Sequence, residues 1–298
     1  MAITGNDSVG QARADLNELI ASLPSLTDRH APSSESYIRM KARARQNVDK
    51  LFSSRETAFQ EFGPFGPIAM PYVEMGVTSS LNLFDLDELI IFAFYWNRRN
   101  HYHKVLDLGA NLGLHSIMLS KCGFEVRAYE PDPFHFQILQ RNLAFNNCKN
   151  VQTFRKAVST TNGTVEFVRV VGNTTGSHIA GAKSNPYGEL ERFTVETQSI
   201  ADIIRWADLI KMDVEGHEKE VLLATNHQDW AGTDALVEVG SSENAGAIFQ
   251  HFTALGINLF CQKNGWSRAS KVEDMPVSYR DGSVFITSRN QMSWRDED

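Results

Sequence analysis

The residues of this chain that could do chemistry fall in three short runs. The first is Asp107-Leu-Gly109-Ala-Asn111-Leu-Gly113, with Ser116 one turn further on. An acidic residue ahead of two glycines suits a strand that ends, turns sharply and enters a helix. Gly109 permits positive φ in such a turn, and Gly113 lets helix, strand and ligand approach closely. The run is not G-x-G-x-x-G, so it lacks the amide cradle of a pyrophosphate site, and this argues against an NAD-dependent oxidoreductase. A carboxylate at Asp107 would repel a pyrophosphate but could accept hydrogen bonds from an ammonium group.

The second run is Tyr129-Glu130-Pro131. A carboxylate at a strand end can accept from both hydroxyls of a ribose, which indicates a nucleoside without choosing the cofactor. The third is Lys211-Met-Asp213-Val-Glu215-Gly-His217-Glu218, which gathers carboxylates and an imidazole beyond a strand end. Asp213 is the first choice for a residue facing cofactor and acceptor. Glu215 and His217 are candidates for a base that removes a hydroxyl proton, and His217 has an ordinary pKa of about 6.5, close to neutrality. His217 and Glu218 also open a helix, where acidic residues are favoured by the dipole alone. His178 sits in a loop rich in Gly, Ser, Thr and Asn (172–188) and is a further candidate for acceptor contact. Glu238, at a later strand end, could join Asp213 around Mg²⁺. Two carboxylates serve equally as a polar floor, and no metal is expected.

The elements that must position these runs alternate from residue 104 onward. Apolar strands are expected at 105–108, 126–129, 151–158, 209–212, 235–239, 257–261 and 283–287, with further strands at 164–171 and 193–197. Helices are expected at 112–122, 133–146 and 244–255, the second capped by Asp132 with Pro133 at its first position. Such alternation implies a mostly parallel sheet covered on both faces, with ligands outside the carboxyl ends of its strands. Before it, helices are expected from 11 to 23, ended by Pro24, and from 35 to 52. Gly63-Pro-Phe-Gly-Pro reads as a linker or lid hinge, and Asp85 with Glu88 as a capping box. The division expected is a helical accessory segment at 1–75, lying over the strand ends, an α/β domain at 76–290 and a tail at 291–298.

Composition narrows the class. With 298 residues, 42% hydrophobic and 22% charged, the chain is ordinary globular material. A net charge of −7 argues against nucleic acid as a partner. The basic run from Arg39 to Arg45 reads as a solvated helix face or a contact for an acidic partner. Three scattered cysteines offer no disulfide framework or zinc spacing, which fits a reducing cytoplasm. No secretory leader is apparent, and the apolar stretch 86–96 is too short to span a bilayer.

Taken together, Asp107-Leu-Gly-Ala-Asn-Leu-Gly-Leu-His-Ser116, Tyr-Glu130-Pro-Asp-Pro and Ile-Lys-Met-Asp213-Val-Glu-Gly-His-Glu218 resemble the FkbM family of methyltransferases over about residues 104–262. The resemblance implies the class I methyltransferase fold, Rossmann-like and doubly wound, with seven strands in the order 3-2-1-4-5-7-6 and the seventh antiparallel. It implies S-adenosylmethionine as cofactor. Asp107, Gly109, Asn111 and Gly113 would then line the methionine end, with Ser116 beside them. Glu130 would hold the ribose, with Pro131 next to it, and Ala157 would border the adenine. O-methylation of a sugar hydroxyl, on a glycan or a secondary metabolite, is the activity implied. The residues themselves admit oxygen and nitrogen acceptors alike, and a non-catalytic nucleotide-binding partner module is the alternative from another class. The expected partner is a small or sugar-like acceptor, with no membrane and with self-association through the N-terminal helices.

Overall fold

The computed structural model describes residues 5–183 and 188–294. Residues 1–4, part of the 172–188 loop (184–187) and the end of the tail (295–298) lie outside the described residues.

The chain begins with α1 (Gly5–Ser22) and α2 (Glu35–Phe52), the latter started by Ser34, whose hydroxyl accepts from the Tyr37 amide at 3.1 Å. The basic run of α2 is neutralised locally: Arg39 pairs with Glu35, Lys41 with Asp85, Arg43 with Asp15 and Arg45 with Asp49. A hairpin follows, β1 (Phe59–Glu61) and β2 (Pro67–Ala69). Gly63-Pro-Phe-Gly-Pro is its turn rather than a hinge, because Phe65 is buried edge-on against Phe92 and Trp96. Asp85 caps α3 (Leu86–Asn97) through the Leu86 amide at 2.9 Å. No capping box forms, since Glu88 turns away to His115, 2.8 Å from its Nε2.

Then comes the alternation: β3 (Lys104–Leu108), α4 (Leu114–Lys121), β4 (Glu125–Tyr129), α5 (Pro133–Phe145), β5 (Val151–Phe154), β6 (Lys156–Ser159), β7 (Gly163–Val170), β8 (His178–Ile179) and β9 (Leu190–Ser199). It continues through α6 (Ile200–Ile203), β10 (Leu209–Met212), α7 (Glu218–Leu223), β11 (Asp234–Glu238), α8 (Ser242–Leu255), β12 (Asn258–Cys261), β13 (Ser267–Arg268) and β14 (Ser283–Thr287). The main sheet runs β13-β12-β14-β11-β10-β3-β4-β5, with β14 antiparallel to both neighbours. Without the short edge strand β13 this is the 3-2-1-4-5-7-6 order, so the fold is the doubly wound class I methyltransferase fold. One expected strand divides: 151–154 pairs with β4, whereas 156–159 leaves at Arg155 to pair with β9 in a second sheet, β6-β9-β7-β8. Ala157 therefore belongs to the second sheet.

Successive side chains of a strand point to opposite faces, and both faces here are apolar. Val105, Leu209, Leu236 and Phe285 meet the helices α3, α4 and α5, while Leu106, Ile210, Val237 and Ile286 meet α7, α8 and Trp230. Leu16, Ile20, Val48, Leu51 and Phe52 join the first of these cores. The N-terminal helices thus form an outer layer on α3, over a sheet face and not over the strand ends as expected. The part of residues 1–75 and its continuation that reaches the strand ends is a clasp on the 172–177 loop: Val77 donates to the Gly172 carbonyl at 2.8 Å and Thr174 to that of Met75 at 3.0 Å. Among the described residues no helix is long and apolar enough to cross a membrane.

Candidate functional site

The glycine turn is fixed by what lies under it. Gly109 has φ +79°, and a Cβ there would stand 1.7 Å from the Asp213 carbonyl oxygen, so the turn crosses the end of β10 at a distance only glycine permits. Gly113, at φ +89°, packs against Leu139 of α5. Asp107 is buried at the end of β3, where one carboxyl oxygen accepts from Ser116 Oγ at 2.5 Å. Its other oxygen has no hydrogen-bond partner among the described residues, and Lys211 Nζ lies 3.9 Å away. Asn111, itself at φ +51°, likewise carries a buried Oδ1 without a partner.

Glu130 is clamped by main chain: Oε2 accepts from the Asn111 amide and Oε1 from the Asp132 amide, both at 2.8 Å. Burial raises its pKa to about 8 although these two amides favour the charged form. Asp132 caps α5 through the Phe134 amide and takes a two-pronged contact from Arg169 of β7, at 2.7 and 2.6 Å. Glu130 and Asp132 border a cleft at the carboxyl ends of β3, β4 and β10. Gly109, Asn111, Glu130, Pro131, Asp213 and Glu215 line one part of it, and Ala157, Phe167 and Ile179 the apolar remainder. Converging polar groups beside an apolar wall are what a ligand with both polar and apolar parts requires.

Asp213 and Glu215 also line a second, wider cleft, with Lys183, Glu218, Glu238 and Tyr279 among its walls. Glu215 sits at φ +55° and pairs with Lys183 at 2.6 Å. Burial and the charge of Asp213 raise its pKa to about 7. Glu218 closes the turn, accepting from the Val214 and Gly216 amides and from Asn244. Burial and Asp213 raise Glu238 as well. Among the described residues no group of three or more His, Cys, Asp or Glu side chains could hold a metal ion.

Two sequence candidates stand apart. His217 faces Ser159, with Nε2 3.0 Å from its hydroxyl, and lines neither cleft. His178 is buried in β8, its Nδ1 2.9 Å from the Gly176 carbonyl oxygen. Burial lowers the pKa of both imidazoles. Sequence reasoning passed over Lys183, the counter-ion of Glu215, and His135, which lines the first cleft and meets Thr174 Oγ1 at 2.9 Å. It also gave no role to Lys211, whose signal was a charge inside an apolar strand.

Residues 107–256 match the family model described as methyltransferase FkbM domain. Among curated proteins, the chain is similar to methyltransferase sdnD of Sordaria araneosa, 29% identical over 161 residues, covering 42% of this chain and 61% of that protein. It is also similar to methyltransferase 1 of Beauveria bassiana, 24% identical over 157 residues, covering 45% and 62%. The chain spans about three fifths of the length of these relatives. A solved S-adenosylmethionine-dependent methyltransferase of Agrobacterium tumefaciens aligns with a TM-score of 0.42 at 10% identity, over 78% of this chain and 71% of that one.

Proposed function

The chain belongs to the FkbM methyltransferase family, and from that premise we propose that it transfers a methyl group from S-adenosylmethionine to a hydroxyl of a small or sugar-like acceptor, on a glycan or a secondary metabolite. The observation that carries this reading is the meeting of two clefts at one wall, Asp213 and Glu215. A transfer site needs two ligands side by side, and alignment supplies much of the rate. The cofactor brings the methyl group on a positively charged sulfur, which is a good leaving group.

The first cleft has the donors and acceptors such a ligand requires. Glu130 has lone pairs left for two ribose hydroxyls after its two amides, and Ala157, Phe167 and Ile179 form an apolar slot for a base. Gly109, Asn111, Gly113, Pro131 and the buried Asp107–Ser116 pair shape the methionine end, with the unpartnered Asn111 Oδ1 available to it. Glu215, rather than His217 or His178, is the base: it borders both clefts, and its raised pKa suits proton removal near neutral pH. Asp213, on the wall shared by the two clefts, orients the ligands. The carboxylate-rich second cleft supports one other reading, N-methylation of an amine, because acids there would favour a cationic acceptor. Association through the N-terminal helices and a place in the cytoplasm go with the proposal. Calorimetry with S-adenosylhomocysteine and NAD, followed by mass-spectrometric transfer assays on matched hydroxyl and amine acceptors, tests it. Binding of NAD alone, or no transfer to either acceptor class, would overturn it.

A further inference from the structure

The loop from 172 to 183 touches both clefts. Thr174, Thr175 and Ser177 line the first, while Ala182 and Lys183 line the second. The far end of the loop rests on the turn after β10. Gly216 of that turn has φ +102°, and a Cβ there would stand 3.0 Å from the Ala182 carbonyl oxygen. Lys183 fastens this contact: its Nζ is 2.6 Å from Glu215 Oε2 and also donates to the Gly176 carbonyl at 3.3 Å. Glu215 itself is at φ +55°, uncommon for a residue with a side chain, so the turn that sets it on the wall between the clefts is held by its surroundings. The pair with Lys183 uses one of the two carboxyl oxygens, and Glu215 Oε1 takes no part in it.

We propose that Lys183 is a positioning residue, whose ammonium holds Oε2 of Glu215 so that the other oxygen receives the proton of the acceptor hydroxyl. This deepens the methyl-transfer reading and rests on it. In the step served, the acceptor oxygen bonds to the methyl carbon, the carbon–sulfur bond breaks with its electron pair left on sulfur, and the hydroxyl proton passes to Glu215. The charges around Glu215 come from several elements. Burial, then Asp213 of the same turn and Glu218 of α7, raise its pKa to about 7 against the pull of Lys183. Glu238 of β11 feels the charge of Glu215 in turn. Lys219 of the second cleft is taken up by Glu243 and Glu220, Lys156 of the first by Glu196, and Lys211 lies beside Asp213. His217, two residues on, faces Ser159, and Tyr279 lines the second cleft. Lys183 is thus the cation set directly on Glu215. An opposite charge so close lowers the pKa of a carboxyl by about one unit or more.

The test reads the Glu215 carboxyl directly. Carbon NMR of the full chain labelled at its glutamate carboxyls, with the signal assigned by Glu215→Gln, gives the titration midpoint between pH 5.5 and 9. Turnover of methyl glycosides as hydroxyl acceptors is followed over the same range, with calorimetry of S-adenosylhomocysteine as the control for the first cleft. Lys183 is half-buried on a loop, so its substitution leaves the core intact. In Lys183→Met the midpoint should rise by about one pH unit. Turnover at pH 6.5 should then fall about fivefold or more below the wild type, and the gap should narrow toward pH 9. Lys183→Gln, which keeps a donor for the Gly176 carbonyl without the charge, should follow Lys183→Met, and Lys183→Arg should follow the wild type. Affinity for S-adenosylhomocysteine should stay within about threefold throughout. A midpoint that does not move, or a turnover gap equal at every pH, would show that the lysine only braces the loop and would overturn the inference. A midpoint that moves while the turnover profile stays put removes Glu215 as the base, and the inference falls. A wild type that binds no S-adenosylhomocysteine overturns the methyl-transfer reading, and the inference with it.

Discussion

The two halves of the site are built differently. At the proposed ribose end, Glu130 is held by two backbone amides and Asp132 by a helix start and a paired guanidinium. At the proposed acceptor end, Asp213 and Glu215 face side-chain charges, from Lys211 and Lys183 respectively. Main-chain contacts come with the turn itself, so the first half is rigid and local in origin. The second half depends on residues from β10, β11 and the 172–183 loop arriving together, and its carboxyls respond to one another's charge. Turnover should therefore follow the ionisation of Glu215, whose pKa is raised to about 7.

The comparison breaks most completely where both halves share a contact. Gly109→Val places a side chain against the Asp213 carbonyl and forces a positive φ on a β-branched residue. It should abolish S-adenosylhomocysteine binding and lower thermal stability, read by calorimetry and a melt. A variant with normal melting and binding would show that the crossing of turn and strand can relax.

Glu215→Gln addresses the acceptor end alone. Turnover should fall by about 10²–10⁴-fold while cofactor affinity stays within about threefold. Equal loss of both would move Glu215 into the cofactor half. In the wild type the rate should rise with pH as the Glu215 proton leaves near neutrality, since burial and Asp213 have raised its pKa. A rate flat from pH 5.5 to 8.5 would remove it as the base.

Glu130→Ala addresses the ribose end. Loss of two hydrogen bonds should weaken S-adenosylhomocysteine by about 1.5–3 kcal/mol, roughly tenfold or more, in titration. The same carboxyl has a stability signature. Its folded pKa is raised, so the native state binds more protons than the unfolded chain between the ordinary carboxyl range and about pH 8. Its contribution to stability is present in acid and is lost as pH rises through that window. Glu130→Gln should flatten this decline in urea midpoints measured from pH 5 to 9, and an unchanged slope would show that the carboxyl is already ionised.

The smallest effect is expected at His217. Its imidazole faces Ser159 away from both clefts, so His217→Ala should change turnover by no more than about threefold and cost about 1 kcal/mol of stability through the lost hydrogen bond. A drop of a hundredfold in turnover would bring it back as the base.

Much of the fold follows from local pattern. Alternating apolar runs, Asp132 with Pro133 at a helix start, and Gly109 and Gly113 around a turn specify strand, turn and helix within a few residues of each other. Glu130 was legible for the same reason, because a strand end dictates both its position and its amide partners. The strand expected at 151–158 is two elements: no glycine or proline marks the break at Arg155, and the choice of sheet depends on β9, some forty residues on. The N-terminal helices were legible as helices, but their docking on α3 depends on which apolar face they find. Their place is a matter of packing.

By itself the sequence determined the strand and helix alternation, the glycine turn and the carboxylate at the end of the second strand. In each the governing interactions span a few residues and are set by φ, hydrogen-bond donors and side-chain period. Only the tertiary structure decided that Glu215 and not His217 borders both clefts, that Lys211 sits between Asp107 and Asp213, and that Lys183 reaches Glu215. A carboxyl's protonation and an imidazole's access depend on which charges and walls the fold brings within a few ångströms, and those come from distant parts of the chain.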